Sequence, residues 1–171
     1  MSERQGAITL RGNPKTLVGK EVKVGDKAPD TKLVANDLSD KNLGSYRGKV
    51  LVVSSVPSLD TPVCDVETRR FNQEAAKLGD KLSVVTVSMD LPFAQSRWCG
   101  AAGVKNVVTL SDHRDAAFGN EWGVLIEGLR LLARCIWVVD KGGTVRYVQL
   151  VGEVADEPDY DSVLAAVRKL L

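Results

Sequence analysis

Cys64 lies in a short segment whose residue types and spacing suit a reactive thiol. The segment reads Pro-Ser-Leu-Asp-Thr-Pro-Val-Cys and runs from Pro57 to Cys64, directly after the apolar run 49–56. Thr61 suits the N-cap of a helix and Pro62 suits its first position, which would place the sulfur in the first helical turn. The unpaired N–H groups and the positive dipole at that end of a helix favour a negatively charged sulfur. We therefore predict that Cys64 is a nucleophile.

The alternative interpretation of Cys64 is a buried cysteine that acts as a small apolar side chain. Helical spacing places Cys64 on one face with Thr68, Phe71, Ala75 and Leu78, so the sulfur should face the body of the protein. The helix cap, the proline and the change from strand to helix favour the reactive interpretation over the inert one.

The elements that hold this segment follow from the pattern of apolar and turn residues. The run 50–56 is apolar except for two serines and is followed by Pro57, which is typical of a strand buried on both faces. The loop after such a strand lies at the carboxyl edge of a sheet, where ligands and catalytic groups collect. Further strands are predicted over 7–11, 16–24, 31–35, 82–88, 107–110, 133–140 and 144–151, and helices over 61–78, 92–103, 115–122 and near 160–171.

This order of elements predicts an α/β fold, in which a central mixed β-sheet carries helices on both faces. Turn residues at Gly12 to Pro14 indicate an N-terminal β-hairpin, and Gly142 and Gly143 indicate a second hairpin. The stretch 123–130 is expected to be a loop. The length of 171 residues is that of one domain, 1–171. Periodicity alone does not separate a thioredoxin-like fold from a flavodoxin-like one.

The composition and the spacing of the cysteines argue against several classes of function. The formal net charge is +1 and the charges are interspersed, so neither nucleic acid nor an anionic membrane is expected as a partner. The N-terminus lacks a signal pattern, which makes the cytoplasm the expected location. The three cysteines contain no C-x-x-C pair, which argues against a disulfide-stapled scaffold and a C-x-x-C oxidoreductase. Their spacing, and that of His113, matches no zinc site.

Three separated motifs resemble those of the peroxiredoxins. The segment 57–64 resembles their peroxidatic-cysteine motif, in which Pro, Thr and Cys recur as P-x-x-x-T-x-x-C. Asp90 to Gly100, which contains Cys99, looks like the resolving-cysteine segment of an atypical two-cysteine subfamily. Leu132-Ala-Arg134 looks like the arginine-bearing start of a strand. The resemblance runs from about Gly12 to the C-terminus and implies a thioredoxin-like fold.

The resemblance also implies roles for five residues. Cys64 would be the peroxidatic cysteine and Cys99 the resolving one. Pro57 would shield the sulfur from water, and the Thr61 hydroxyl would bind the sulfur or the peroxide. Arg134 would reach the sulfur, because a guanidinium that keeps its proton stabilises a thiolate and donates hydrogen bonds to peroxide.

The implied reaction is the reduction of hydrogen peroxide and alkyl hydroperoxides to water or alcohol. Cys64 would become a sulfenic acid and then form a disulfide with Cys99 of the same subunit, which thioredoxin would reopen. No metal, haem or flavin is needed, because the thiolate supplies both electrons. The resemblance further implies a homodimer and a role in antioxidant defence and redox homeostasis.

The setting of Cys99 indicates a thiol that can move. The predicted apolar stripe of its helix leaves Cys99 beside Gln95 and off the stripe, so Cys99 should be less buried than a core cysteine. Gly100 and Gly103 each weaken the helix by about 1 kcal/mol relative to Ala. We expect Cys64 and Cys99 to be apart in the reduced protein and both segments to unwind before they join. The predicted stripe consists of Ala94, Trp98, Ala101 and Ala102.

Other interpretations stay open from the sequence. Cys135 is expected to be an inert core residue within its strand, and His113 a solvated loop residue. A one-cysteine peroxidase or a thiol-disulfide oxidoreductase on the same fold is the neighbouring enzymatic alternative. A redox sensor that uses the Cys64 and Cys99 bridge as a switch needs the same reactive thiol. Catalytic turnover with thioredoxin would separate a peroxidase from a sensor.

Overall fold

The computed structural model describes residues 2–171, within which eleven strands and four helices are defined. The strands are β1 (Glu3–Leu10), β2 (Asn13–Val18), β3 (Lys32–Val34), β4 (Asp40–Asn42), β5 (Val50–Ser55), β6 (Leu82–Ser88), β7 (Val108–Ser111), β8 (Leu125–Ile126), β9 (Leu131–Leu132), β10 (Cys135–Val139) and β11 (Val145–Leu150). The helices are α1 (Pro62–Leu78), α2 (Pro92–Ala102), α3 (Ala117–Glu121) and α4 (Tyr160–Arg168).

The central sheet has seven strands in the order β11-β10-β5-β6-β7-β3-β4. Its middle strands β5, β6 and β7 are parallel, whereas β10 is antiparallel to β5 and β3 is antiparallel to β7. All of β5 and all but one residue of β6 are buried, which explains why these strands are apolar runs without alternation. The predicted mixed sheet is confirmed, and its antiparallel strands exclude an all-parallel flavodoxin-like sheet.

Helices cover both faces of this sheet, as predicted. On one face, Val52 packs in a cluster with Phe71 of α1 and Val163 of α4. On the other face, Val53 packs with Phe118 of α3 and with a second sheet of order β1-β2-β8-β9. Alternate residues of β5 thus belong to different clusters, because successive side chains of a strand point to opposite faces. The strand is held from both sides, so the loop that follows it starts from a rigid position.

The N-terminal β-hairpin is present, and its turn is tighter than predicted. β1 ends at Leu10 and β2 begins at Asn13, so the turn consists of Arg11 and Gly12. Both residues have positive φ, 52° and 78°, the backbone of a two-residue hairpin turn that matches strand twist. Asn13 and Pro14 therefore belong to the strand and not to the turn.

The stretch 123–130 differs from the expected loop. It contains β8, which pairs with both β2 and β9 and extends the hairpin into the four-stranded sheet. A strand of two residues is too short to show alternation, and its pairing partners lie more than a hundred residues away on one side. The sequence carries no local signal for such a strand.

Candidate active site

Cys64 lies where the sequence placed it, in the first turn of α1. The loop 56–61 follows β5, Thr61 is the N-cap residue with extended backbone, and Pro62 opens the helix. The side chain of Cys64 is 0% exposed and packs with Val56 and Leu59. The sulfur thus combines the positive end of a helix with an apolar, water-poor surrounding.

Thr61 occupies the N-cap position, but its hydroxyl does not cap the helix. Instead it donates a hydrogen bond to the carbonyl oxygen of Ser58 at 2.9 Å. No side-chain cap bond is formed at this helix end. The hydroxyl oxygen keeps its lone pairs available, so it can accept a hydrogen bond from a protonated peroxide oxygen.

Arg134 reaches the sulfur of Cys64 from the neighbouring strand. Cys135 pairs with Ser55, the last residue of β5, so Arg134 lies beside the loop that carries the cysteine. Its Nη2 donates to Cys64 Sγ at 3.2 Å and to the carbonyl oxygen of Val154 at 2.9 Å, and its Nε donates to that same carbonyl at 3.0 Å. The predicted contact between the guanidinium and the sulfur is present in the structure.

Glu67, whose role was not predicted from the sequence, holds the other side of the same guanidinium. Arg134 Nη1 donates to Glu67 Oε2 at 2.6 Å, and the Ser54 hydroxyl donates to Glu67 Oε1 at 2.8 Å. Glu67 follows Cys64 by three residues, so both side chains lie on one face of α1. A charged residue three positions after the cysteine, on the face predicted to be buried, was the available signal.

Charge and burial act against each other in this cluster. Burial raises the pKa of Glu67 above its ordinary value, while the charge of Arg134 and the hydrogen bonds lower it. For Arg134, burial alone would lower the pKa, but the charges of Glu67 and Cys64 outweigh it and raise the pKa. Arg134 is therefore a permanent cation between two acidic groups. Its hydrogen bonds to Glu67, to the Cys64 sulfur and to the Val154 carbonyl fix the orientation of the guanidinium.

The loop between β5 and α1 is fastened by Asp90, a second residue that the sequence analysis did not single out. The Ser58 hydroxyl donates to Asp90 Oδ1 at 2.6 Å, and the backbone N–H of Leu59 donates to Asp90 Oδ2 at 2.8 Å. Asp90 is itself held by the Ser88 hydroxyl at 2.7 Å. Pro57 at the start of the loop is buried. The carboxylate thus joins the Cys64 loop to the segment that leads into α2.

Cys99 lies on α2 and is partly buried, which agrees with a less buried setting than that of a core cysteine. Its sulfur lies 3.4 Å from the Thr109 hydroxyl, which in turn lies 3.2 Å from Asn36 Oδ1. Since the amide oxygen only accepts, the hydroxyl donates to it and accepts from the thiol of Cys99. All three cysteines are free in the structure.

The apolar stripe predicted for α2 is half wrong, since Trp98 and Ala102 pack against the core but Ala94 and Ala101 do not. The helix buries Pro92 and Gln95, whereas Ala94 and Ala101 are exposed. Gln95 is accommodated because its Nε2 donates to Ser88 Oγ at 3.0 Å and to the carbonyl oxygen of Leu110 at 2.9 Å. A buried amide with two partners is tolerated, and small alanines carry little preference for either face.

Cys135 and His113 lie outside this cluster. Cys135 is 2% exposed, and burial raises the pKa of its thiol far above the ordinary value, so the thiol stays neutral and unreactive. His113 lies in a partly exposed turn, and its carbonyl oxygen accepts from Arg130 Nη2 at 3.2 Å. Neither side chain is in hydrogen-bond contact with the Cys64 sulfur.

The arrangement has the groups that stabilise a thiolate. Among residues 2–171, no group of three or more His, Cys, Asp or Glu side chains is placed to hold a metal ion. Within the same range, no helix is both long and apolar enough to cross a membrane. The cluster supplies a buried sulfur with a cationic donor at 3.2 Å, and the Thr61 hydroxyl, bonded to Ser58, lies at the start of the same helix; these groups suit two-electron chemistry at sulfur.

Comparison with known proteins agrees with this chemistry. A profile of the family described as Redoxin matches residues 23–164. The chain is 54% identical over 164 residues to a thiol peroxidase of Bacillus subtilis, covering 96% of this chain and 98% of that protein. It is 50% identical over 162 residues to a thiol peroxidase of Listeria monocytogenes, covering 95% and 98%. A solved peroxiredoxin-like protein from Aquifex aeolicus superposes with a TM-score of 0.90 at 46% identity, covering 98% of this chain and 99% of its own.

Proposed function

Because this chain belongs to the Redoxin family and is a thiol-dependent peroxidase of the peroxiredoxin type, we propose that Cys64 is its peroxidatic residue and Cys99 its resolving residue. Arg134, Thr61 and Pro57 complete the proposed site. The observation that carries the assignment is the contact of 3.2 Å between the Arg134 guanidinium and the buried Cys64 sulfur. A buried thiol with a permanent cation as its donor is the arrangement that a nucleophilic thiolate requires.

In the proposed first step, the Cys64 thiolate attacks the terminal oxygen of hydrogen peroxide or an alkyl hydroperoxide. The O–O bond breaks, the attacked oxygen stays on sulfur as a sulfenic acid, and the other oxygen takes a proton and leaves as water or alcohol. Arg134 donates hydrogen bonds to the peroxide oxygens as negative charge develops on them, and the Thr61 hydroxyl accepts a hydrogen bond from the peroxide O–H, whose hydrogen stays on the oxygen that is transferred to sulfur. Pro57 excludes water from the sulfur.

In the proposed second step, the Cys99 thiol condenses with the sulfenic acid, releasing water and forming a disulfide within one subunit. The Cys64 contact with Arg134 and the Cys99 contact with Thr109 must both break, since each sulfur is held by a different element. Thioredoxin then reduces the disulfide by thiol–disulfide exchange and is itself oxidised. No bound cofactor takes part in this scheme.

The test is to add one equivalent of an alkyl hydroperoxide to the fully reduced protein, count the remaining thiols and map the peptides by mass. We expect one free thiol, at Cys135, and a disulfide between Cys64 and Cys99. Overoxidation of Cys64 with Cys99 left free would point to a one-cysteine peroxidase instead. Survival of all three thiols would contradict the assignment of Cys64.

A redox sensor is the second candidate, because Asp90 joins the Cys64 loop to the start of α2 and could transmit a change at Cys64. Repeated peroxide turnover with thioredoxin supports the peroxidase, and a single turnover supports the sensor. We also propose a single domain over 1–171, a homodimer, a cytoplasmic location and a role in antioxidant defence. Gel filtration and cell fractionation test the assembly and the location.

A further inference from the structure

Three side chains connect the helix of Cys64 to the helix of Cys99. Asp65 follows Cys64 in α1, and its Oδ1 accepts a hydrogen bond at 3.0 Å from the indole Nε1 of Trp98, the residue before Cys99. Arg69, one turn further along α1, donates through Nε to Asp65 Oδ2 at 2.9 Å. We refer to Asp65, Arg69 and Trp98 as the latch.

Arg69 makes two further contacts with α2. Its guanidinium carbon lies 5.9 Å from the centre of the Trp98 ring, and its Nη1 donates to the carbonyl oxygen of Ala102 at 3.2 Å. The second contact satisfies a carbonyl in the last turn of α2, which has no partner within the helix. The latch therefore holds α2 against α1 both beside Cys99 and at the end of α2.

Trp98 also packs against the residues around Cys64. Its side chain is partly buried against the small cluster formed by Val56, Leu59 and Cys64. The indole thus packs on the group around one cysteine while its backbone neighbours the other. Because Trp98 precedes Cys99 in α2, a movement of Cys99 toward Cys64 disturbs this packing.

We propose that Asp65, Arg69 and Trp98 are positioning residues that keep α1 and α2 folded together and thereby set how fast the Cys64 sulfenic acid is resolved by Cys99. This inference rests on the proposed roles of the two cysteines. Two fates of the sulfenic acid compete. Condensation with the Cys99 thiol forms the disulfide and releases one water. A second peroxide instead transfers an oxygen to the sulfur, forming sulfinic acid and releasing water or alcohol.

The latch acts only on the first of these fates, because the second needs no movement of the helices. The Asp65 and Arg69 side chains are 33% and 47% exposed, so solvent screens their ion pair and its contribution is small. The indole hydrogen bond and the packing of Trp98 are better protected. Loss of one such bond should speed disulfide formation by about three- to tenfold.

The experiment measures the ratio of disulfide to sulfinic acid at Cys64 by quenched-flow alkylation and peptide mass, over a series of peroxide concentrations. This ratio does not depend on the rate of the first peroxide attack, since both products arise from the same sulfenic acid. In Trp98→Phe and Asp65→Ala, we expect the ratio at each peroxide concentration to rise about three- to tenfold. Asp65→Asn should stay nearer to wild type, because its amide oxygen can still accept from the indole.

Arg70→Ala is the matched control for Arg69→Ala. Arg70 lies on the same helix, forms an ion pair with Glu74 at 3.4 Å, and lies over the ring of Tyr160 at 5.0 Å. Its aromatic partner is on α4 and not on α2, so Arg70→Ala should leave the ratio unchanged while Arg69→Ala raises it. General destabilisation of α1 would change the ratio of disulfide to sulfinic acid equally in both variants.

Each outcome decides between the two proposals. If wild-type protein forms no disulfide between Cys64 and Cys99, the proposed function fails and the latch with it. If wild type forms the disulfide but Trp98→Phe, Asp65→Ala and Arg69→Ala keep its ratio, only the latch is refuted. A ratio that rises equally in Arg70→Ala, or as much in Asp65→Asn as in Asp65→Ala, would also refute it.

Discussion

Removal of the Glu67 carboxylate tests how the site holds its arginine. Glu67 and Arg134 are 0% and 1% exposed, and 2.6 Å separates Glu67 Oε2 from Arg134 Nη1. Glu67→Ala leaves a buried guanidinium without its counter-charge and leaves the Ser54 hydroxyl without its acceptor. Breaking a buried pair from one side costs roughly 3–5 kcal/mol, because the remaining charge stays desolvated.

The same substitution should slow the first chemical step. Arg134 keeps its two bonds to the carbonyl oxygen of Val154, so the side chain stays near the site, but nothing holds its Nη1. Loss of the Nη1 contact removes one of the constraints on the guanidinium, so the contact of Nη2 with the Cys64 sulfur is less well fixed, and we expect the rate of peroxide attack to fall by at least about tenfold. Glu67→Gln retains an acceptor oxygen and should lose about 1–2 kcal/mol and less of the rate.

Urea unfolding and stopped-flow reaction with one equivalent of hydroperoxide provide the two measurements. Glu74→Ala is the matched control, since Glu74 is on the same helix and pairs with Arg70 and Lys77, whose side chains are 39% and 69% exposed. The Glu74 side chain is itself only 11% exposed, but its partners are exposed and solvent screens their charges, so its removal should cost about 1 kcal/mol. If Glu67→Ala lowers the free energy of unfolding no more than Glu74→Ala does, and reacts with hydroperoxide at the wild-type rate, Glu67 does not position Arg134.

Three further substitutions test other parts of the site and fold. Thr61→Val should cost only about 1 kcal/mol of stability, through the lost bond to Ser58, but lower the rate with peroxide about a hundredfold; a wild-type rate in stopped flow would contradict the role of the hydroxyl. Cys135→Ala should cost about 1–2 kcal/mol in urea unfolding and leave peroxide turnover unchanged, since burial keeps that thiol neutral; a slower turnover would show that the thiol takes part. Burial raises the pKa of Asp112 to about 6, above the ordinary 3.8, although the carboxylate accepts from two backbone N–H groups of α3. The stabilisation by protonated Asp112 is therefore fully present below about pH 4 and is lost as the pH rises through 6. Between about pH 4 and 7, the free energy of unfolding of wild type should fall by roughly 2–3 kcal/mol relative to that of Asp112→Asn. Parallel pH curves of the two proteins in urea titrations would contradict this.

Much of the fold could be predicted because its strongest signals are local. The apolar run of β5 indicates burial on both faces from its own composition, and Thr61 with Pro62 starts α1 at the observed residue. These signals depend on backbone constraints within a few residues. The position of Cys64 in the first helical turn follows from them and needs no knowledge of the remaining chain.

The two-residue strands and the orientation of α2 could not be predicted in the same way. β8 exists only because β2 and β9 supply its hydrogen-bond partners. Gln95 faces inward only because Ser88 and the carbonyl oxygen of Leu110 receive its amide. Where helix residues are small or polar, the neighbouring elements decide which face is buried, and hydrophobic periodicity then fails.

For the site, the sequence by itself determined which side chains can react and where the reactive cysteine lies on its helix. The tertiary structure alone decided how the sulfur is surrounded. Arg134 meets Glu67 across 67 positions of the chain, and the carbonyl oxygen of Val154 is presented to it from a segment beyond β11. A buried charge is tolerated only with hydrogen-bond partners, and the packing of elements that are distant in the chain decides which groups lie near it. Sequence spacing does not predict that packing.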